Sequence, residues 1–367
     1  MKKIFLLFSI LGLICNLTYA QKYAAAVLDD EFWGYIDENG NQILYPMYDV
    51  AYEFSSGIGL IKNDGTLYYV NPEGIIINST REYNVRYPFS EGLARIEKEG
   101  KWGYLDKRGE FSIAPQFIEA HDFKSGVAAV RSDEGWGFLT KQGTYLINPQ
   151  FKKAKDFEGE AAMVVKERGW VYVNKEGKTF PTNNEYEVHH DFSEGMGAVR
   201  RDKLWGFVNQ NGDLVIQPQF TDVGDFSSGL APVRVDDLWG YINKKGEYKV
   251  QPKYRTAKEF QDGMALVRED GEYFYINTSG QETGKDANYL IKHDFSEGYA
   301  RIIQNGKWGF INKSGDIVIH PQFDDAEDFK SGRAAVLQNG RWGFITPQGE
   351  PVIECKYRKV SDFKPLD

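Results

Sequence analysis

The side chains best placed to do chemistry in this 367-residue chain are its histidines and its acidic turns. His121, His190 and His293 each precede an Asp-Phe pair, and His189-His190-Asp191 looks superficially like a metal cluster. A metal site needs three or four convergent ligands, whereas the equivalent places elsewhere hold Tyr52, Tyr87, Lys155, Gly224, Lys258, Glu327 and Ser361. The expected reading is therefore a tolerant surface position with no metal. Asp122, Asp156 and Asp225 offer one carboxylate per turn where calcium takes six to eight oxygens, so they are expected to bond their own turns. Asp324, Asp325 and Asp328 read as a solvated acidic edge. The chain has no P-loop, dinucleotide glycine fingerprint, zinc-protease helix or Gly-x-Ser-x-Gly elbow. Its acids are spread along the turns instead of being singled out as a pair in a cleft. The expectation is a protein that is not an enzyme and uses no cofactor.

The elements that carry these side chains repeat. Gly40, Gly74, Gly109, Gly143, Gly177, Gly212, Gly246, Gly280, Gly315 and Gly349 mark ten units spaced 34 or 35 residues apart. Seven residues before each stands Trp33, Leu67, Trp102, Trp136, Trp170, Trp205, Trp239, Tyr273, Trp308 or Trp342, so all eight tryptophans occupy one position. Within the last full unit, Arg333 to Leu337 and Arg341 to Thr346 read as strands joined by an Asn339-Gly340 hairpin, with a third strand from Pro351 to Glu354. A proline step such as Gln217-Pro218-Gln219-Phe220 follows; proline cannot donate to a ladder, so the step belongs at a strand end or sheet edge. An acidic-aromatic turn such as Asp225-Phe226-Ser227-Ser228-Gly229 completes the unit. The tryptophans read first as repeated core residues and second as exposed platforms for sugars or peptides.

A slower period runs inside this one. The connectors Ile75 to Pro88, Lys178 to Asp191 and Gln281 to Asp294 lack the proline step and place Tyr83, Tyr186 and Tyr289 in register 103 residues apart. In those units Tyr68, Val171 and Phe274 replace the glycine after the aromatic, so whatever packs closely on that glycine elsewhere is expected to be absent. Either a three-unit cassette was copied, or every third connector lies on one side of a coiled array. Because they break the pattern, Tyr83, Tyr87, Tyr186, His190, Tyr289 and His293 are the candidate binding residues.

Lys101-Trp102-Gly103-Tyr104, Trp205-Gly206-Phe207 and Lys307-Trp308-Gly309-Phe310, with the glycine turn, the Pro-Gln-Phe step and the Asp-Phe-Ser-Glu-Gly turn, resemble WG-repeat (KWG-repeat) proteins. The resemblance covers nearly the whole of residues 21–367. It implies bacterial proteins built of β repeats and presumed to act in binding, and it brings no catalytic residues. Leu67, Tyr273 and the Trp170-Val171 pair depart from the pattern.

Lys2 and Lys3, the apolar run Ile4 to Ile14 and Thr18-Tyr19-Ala20 read as a secretory signal over residues 1–20. Export to the periplasm, cell surface or medium is expected, with no transmembrane segment in residues 21–367. Cys355 is then the only cysteine, so stability must come from packing. A net charge of −9, without a basic block, disfavours nucleic acid as a partner. The expected fold is all-β: ten three-stranded units in one elongated or superhelical solenoid-like array, with β-propeller closure as the alternative. The expected function is an exported scaffold for protein or peptide partners, with cell-wall or glycan binding through repeated aromatics as the alternative.

Overall fold

The computed structural model describes residues 22–77, 83, 85–167, 169–181, 186–188, 190–291 and 293–366. The signal segment 1–20, His189 and connector residues 78–82, 84 and 182–185 lie outside the described residues. Among the described residues the chain forms ten small antiparallel sheets, one per sequence unit. In the fourth sheet, Glu119–Ala120, Val127–Ser132, Gly135–Thr140 and Tyr145–Phe151 lie side by side in chain order. The first of these is only two residues long, which is why the unit reads from sequence as three strands and a turn.

Local chemistry sets each strand. The Asn339-Gly340 hairpin has φ of 53° and 75°, both in the left-handed region that a tight two-residue connection demands. In the third strand of a regular unit, tryptophan alternates with a fully buried aromatic: Trp308 is half-buried while Phe310 is 0% exposed. The outer strand then bulges. Trp308 pairs with Phe323 and Phe310 with Ile319, so four residues of Ile317–Phe323 span two of the third strand. The excess passes directly over the intervening glycine, where a Cβ on Gly309 would lie 2.5 Å from the Ile319 carbonyl oxygen and 2.7 Å from Pro321 N. Gly34, Gly103, Gly137, Gly206, Gly240 and Gly343 are crossed in the same way. The proline therefore lies in the outermost strand of its sheet, where its missing N–H costs no ladder bond.

Units 2, 5 and 8 lose both partners of this contact together. Among the described residues their outer strands amount to a single bridge between Val70 and Ile76, or to the two-residue strands Thr179–Phe180 and Glu282–Thr283. Among the described residues no proline step crosses these positions, and Tyr68, Val171 and Phe274 stand where glycine is otherwise required.

The core lies between sheets. Phe138, Phe151 and Ile147 of the fourth unit pack with Phe157, Val164 and Val173 of the fifth, and equivalent clusters join the other neighbours. The series closes. Lys359–Val360 supplies the short first strand of the first sheet by pairing with Val27 and Leu28, and Lys364–Pro365 pairs with Tyr23 and Ala24. A cluster containing Ala25, Val27 and Ile36 merges with Phe344, Ile353 and Phe363 across the same junction.

The molecule is thus a ten-bladed β-propeller arrangement, and the expected open solenoid is corrected in favour of closure. Ten units of about three strands fit the usual propeller of four to eight four-stranded blades poorly, and it is the strand count that the structure changes. Nine of the ten blades carry a short strand at their entry, the third blade being the exception among the described residues, and the first blade's copy comes from the C-terminal end of the fold. Closure also pairs the strand edges that an open array would leave at its ends. In the ring the three irregular connectors are separated by three, three and four blades instead of stacking into one stripe.

Candidate functional site

The acidic-aromatic turns form one continuous belt across the blades. Ser90 Oγ donates to the Phe123 carbonyl at 2.7 Å, Ser193 Oγ to Phe226 at 2.7 Å, Ser296 Oγ to Phe329 at 2.7 Å and Ser331 Oγ to Phe363 at 3.0 Å, each reaching the following blade. The acid that follows Ser90, Ser193 and Ser296 adds a second tie: Glu91 accepts from Gly126 N at 3.0 Å, Glu194 from Gly229 N at 3.0 Å, and Glu297 from Ser331 N and Gly332 N at 2.7 and 2.8 Å. Lys141 and Lys244 close on Glu91 and Glu194 at 3.1 and 3.2 Å. Burial works to raise the Glu91 carboxyl, but Lys141 and the turn amides hold it below its ordinary value. The belt carboxylates therefore serve the joints between blades. Among the described residues no group of three or more His, Cys, Asp or Glu is gathered as a metal would require.

The residue before each Asp-Phe pair, or before Pro88-Phe89 in the third blade, sits in a repeated setting. Its ring, where it has one, packs on the tryptophan of its own blade: Tyr87 on Trp102, His121 on Trp136, His190 on Trp205 and His293 on Trp308, with centroids 4.9–5.9 Å apart. Its backbone carbonyl accepts a buried tyrosine hydroxyl from the preceding blade, as in Tyr69 to Tyr87 at 2.7 Å, Tyr172 to His190 at 2.8 Å and Tyr275 to His293. Its polar atoms face the next blade's aspartate: His121 Nδ1 lies 2.7 Å from Asp156, Lys155 Nζ 3.0 Å from Asp191 and His190 Nδ1 3.2 Å from Asp225.

Equivalent histidines titrate in opposite directions. The hydrogen bond to Asp225 raises the pKa of His190, whereas burial and the Arg301 guanidinium 3.0 Å from Nδ1 lower that of His293. Arginines cover several of the aromatic rings. Arg95 lies 3.6 Å from the Tyr87 centroid, and Arg200, Arg234 and Arg301 lie 5.6, 5.7 and 5.6 Å from Trp205, Trp239 and Trp308.

The connector tyrosines are placed for packing. Tyr289 donates its hydroxyl to the Gly315 carbonyl at 3.0 Å, and the Tyr83 hydroxyl reaches the Gly109 carbonyl at 3.5 Å. In regular blades an outer-strand isoleucine packs on that next-blade glycine turn, as Ile113 does at Gly143 and Ile319 at Gly349. Tyr83 and Tyr289 therefore occupy the place vacated by the missing outer strand. Tyr186 differs: its hydroxyl accepts from Arg201 Nη1 at 3.1 Å. All three are half-buried, and they lie three or four blades apart, so the six candidate residues form no single pocket.

Trp136 is 8% exposed, while Trp33, Trp102, Trp170, Trp205, Trp239, Trp308 and Trp342 are half-buried with part of each ring against a core cluster. A cleft of about 440 Å³ between the last two blades includes Phe323, Val336, Ile353 and Cys355, whose thiol is pushed up by burial. What sequence reasoning missed is the blade-to-blade role of serine and acid in the belt. The only signal for it was their recurrence immediately after the Asp-Phe pair.

The sequence profile described as "WG containing repeat" matches residues 33–66, 80–102, 102–135, 136–170, 205–239, 239–273, 293–308, 308–342 and 342–364. The gaps at 67–79, 171–204 and 274–292 take in the start of the connector 75–88, all of 178–191 and most of 281–294. No curated protein matches the chain. Among solved structures, a eukaryotic initiation factor aligns at 8% identity over 94% of this chain and 99% of its own, with a TM-score of 0.51, a likeness of fold alone. The Hsv2p structure of Kluyveromyces lactis aligns at 10% identity over 68% of this chain and 99% of its own, with a TM-score of 0.35. With the profile matched in nine segments around a ring whose every regular blade is built on the Trp-Gly pair and its overlying strand, this chain belongs to the WG-containing-repeat family.

Proposed function

We propose that this protein is a non-enzymatic, exported scaffold that binds protein or peptide partners. The observation that carries this reading is the belt: serine, acid and lysine side chains join successive blades, fixing a rigid closed frame on which half-exposed Trp-His-Arg stacks repeat. Such a frame presents many similar contacts at low ordering cost, which suits recognition of an extended partner. Export is supported by Lys2, Lys3, the Ile4 to Ile14 run and Thr18-Tyr19-Ala20, and no helix among the described residues is long and apolar enough to cross a membrane. Immobilising the chain from Gln21 and identifying envelope proteins retained from the native cell, with competition by free protein, tests the reading. Saturable retention of one defined protein supports it. Retention only of wall glycan overturns it.

The partial exposure of seven tryptophans favours glycan binding as a second reading, because sugars stack on aromatic faces. Iodide quenching distinguishes the two: if a bound oligosaccharide fails to shield the tryptophans, the glycan reading is lost.

A further inference from the structure

We propose that the outer edge of blade 8, at Tyr273, is a docking site for an extended peptide that adds as a further β-strand; the proposal rests on the scaffold reading above and locates its site. In a regular blade the start of the third strand is covered by the chain itself, with Trp308 against Phe323 and Trp342 against Tyr357. In blade 8 the third strand is Glu272–Asn277, and its outer partner Glu282–Thr283 pairs only with Tyr275 and Ile276. Residues facing one neighbour alternate along an antiparallel strand, so the backbone N–H and C=O of Tyr273 point to the same outer side as those of Tyr275. The following segment is described without a gap as far as Ile291, and none of it pairs beside Tyr273. The Tyr273 side chain is 45% exposed, the largest exposure among the residues at the tryptophan position.

The seven regular blades show what such an edge accepts: a strand that sets an aromatic residue opposite the tryptophan position. Phe274, fully buried where others have glycine, excludes the proline crossing, so the guest must be a straight strand without proline at that step. Charge adds a second constraint. Glu269, Glu272, Glu282 and Asp286 gather there against Lys253, Lys285 and Arg268, whose guanidinium lies 5.4 Å from the Tyr273 ring centroid, and the slight excess of acid favours a cationic segment. Lys285 and Asp286 lie beside the edge through exposed contacts to Glu269 and Glu272, ties that water and an incoming strand can replace. Open edges of this kind recruit extended peptides through main-chain bonds, with alternate side chains setting specificity.

The probe is a fluorescein-labelled ten-residue peptide alternating lysine or threonine with valine around a central tyrosine. Its partner is the same peptide N-methylated on the amides that would face the protein. Binding is read by fluorescence anisotropy and the site by hydrogen exchange. The expected result is slowed exchange at the Tyr273 amide, no change at the already paired Trp308 amide, and about tenfold weaker binding for each main-chain bond lost on methylation. Tyr273→Pro deletes the same bond from the protein side. Equal binding of the methylated peptide, or no binding of either peptide, overturns the edge site. Protection confined to the Asp-Phe-Ser-Glu-Gly turns also overturns it, yet leaves the scaffold reading standing.

Discussion

Replacing Gly309 by alanine isolates the contact that gives the repeat its form. The added Cβ would sit 2.5 Å from the Ile319 carbonyl oxygen, 2.7 Å from Pro321 N and 2.9 Å from Pro321 Cα, where ordinary contact begins at 3.4 Å. All three obstacles are backbone, and the pairs Trp308–Phe323 and Phe310–Ile319 pin that strand on either side. A flexible side chain could swing away, but here the strand must shift. Overpacking typically costs about 1–3 kcal/mol, and an immovable neighbour puts this case near the top, at about 3 kcal/mol. Gly306→Ala in the adjoining hairpin is the control, because its φ of 75° is unfavourable for alanine but nothing lies within 4 Å. The control should cost about 1–2 kcal/mol from the left-handed backbone alone. Urea unfolding followed by tryptophan fluorescence and circular dichroism reads both variants. A Gly309→Ala protein as stable as wild type, or more stable than Gly306→Ala, would refute the reasoning.

Tyr241→Phe removes the hydroxyl that donates to the Lys258 carbonyl at 2.7 Å and should cost about 0.5–1.5 kcal/mol in the same assay. The loss is tolerable, since Phe138, Phe207, Phe310 and Phe344 stand at this position in other blades. The two histidines should give pH dependences of opposite sign. His190 has a raised folded-state pKa, so its contribution is fully present below the ordinary histidine value of about 6.5 and is lost as pH rises through the folded value. His190→Gln should therefore be more damaging at low pH than at high pH. His293 has a lowered pKa, so its contribution is present above about 6.5 and is lost as pH falls, and His293→Gln should show the reverse. Parallel trends in the two unfolding series would contradict the assignment of Asp225 in one case, and of burial with Arg301 in the other, as the causes.

Much of the blade was legible because its constraints are local. Asn-Gly marks the hairpin, and the glycine after tryptophan marks a crossing strand. The loss of that glycine at Tyr68, Val171 and Phe274 together with the proline step is one steric fact seen twice. Closure was not legible, because it depends on Lys359 and Val360 meeting Leu28 and Val27, residues more than 300 positions apart with no special composition. The entry strand that allows closure is two residues long, too short to carry a period. The connector tyrosines were singled out because they break the repeat. Tyr83 and Tyr289 break it in order to fill the space left by a missing outer strand, a packing role that sequence alone cannot separate from a binding one. The opposite titration of His190 and His293 was equally hidden, since it is set by Asp225 on the next blade in one case and by burial with Arg301 in the other.

The ring itself is the claim on which the belt and the blade edges depend. Closure brings Arg341 Nη2 within 3.5 Å of Asp30 Oδ1, although the residues are 311 positions apart in the chain. Donor and acceptor dyes on Asp30→Cys and Arg341→Cys, in a Cys355→Ser background, report the separation directly. The closed propeller predicts near-complete energy transfer in the native protein and its loss in urea. An open stack of ten sheets would hold the ends on the order of 90 Å apart. Absence of transfer in the native state would contradict the closed ring.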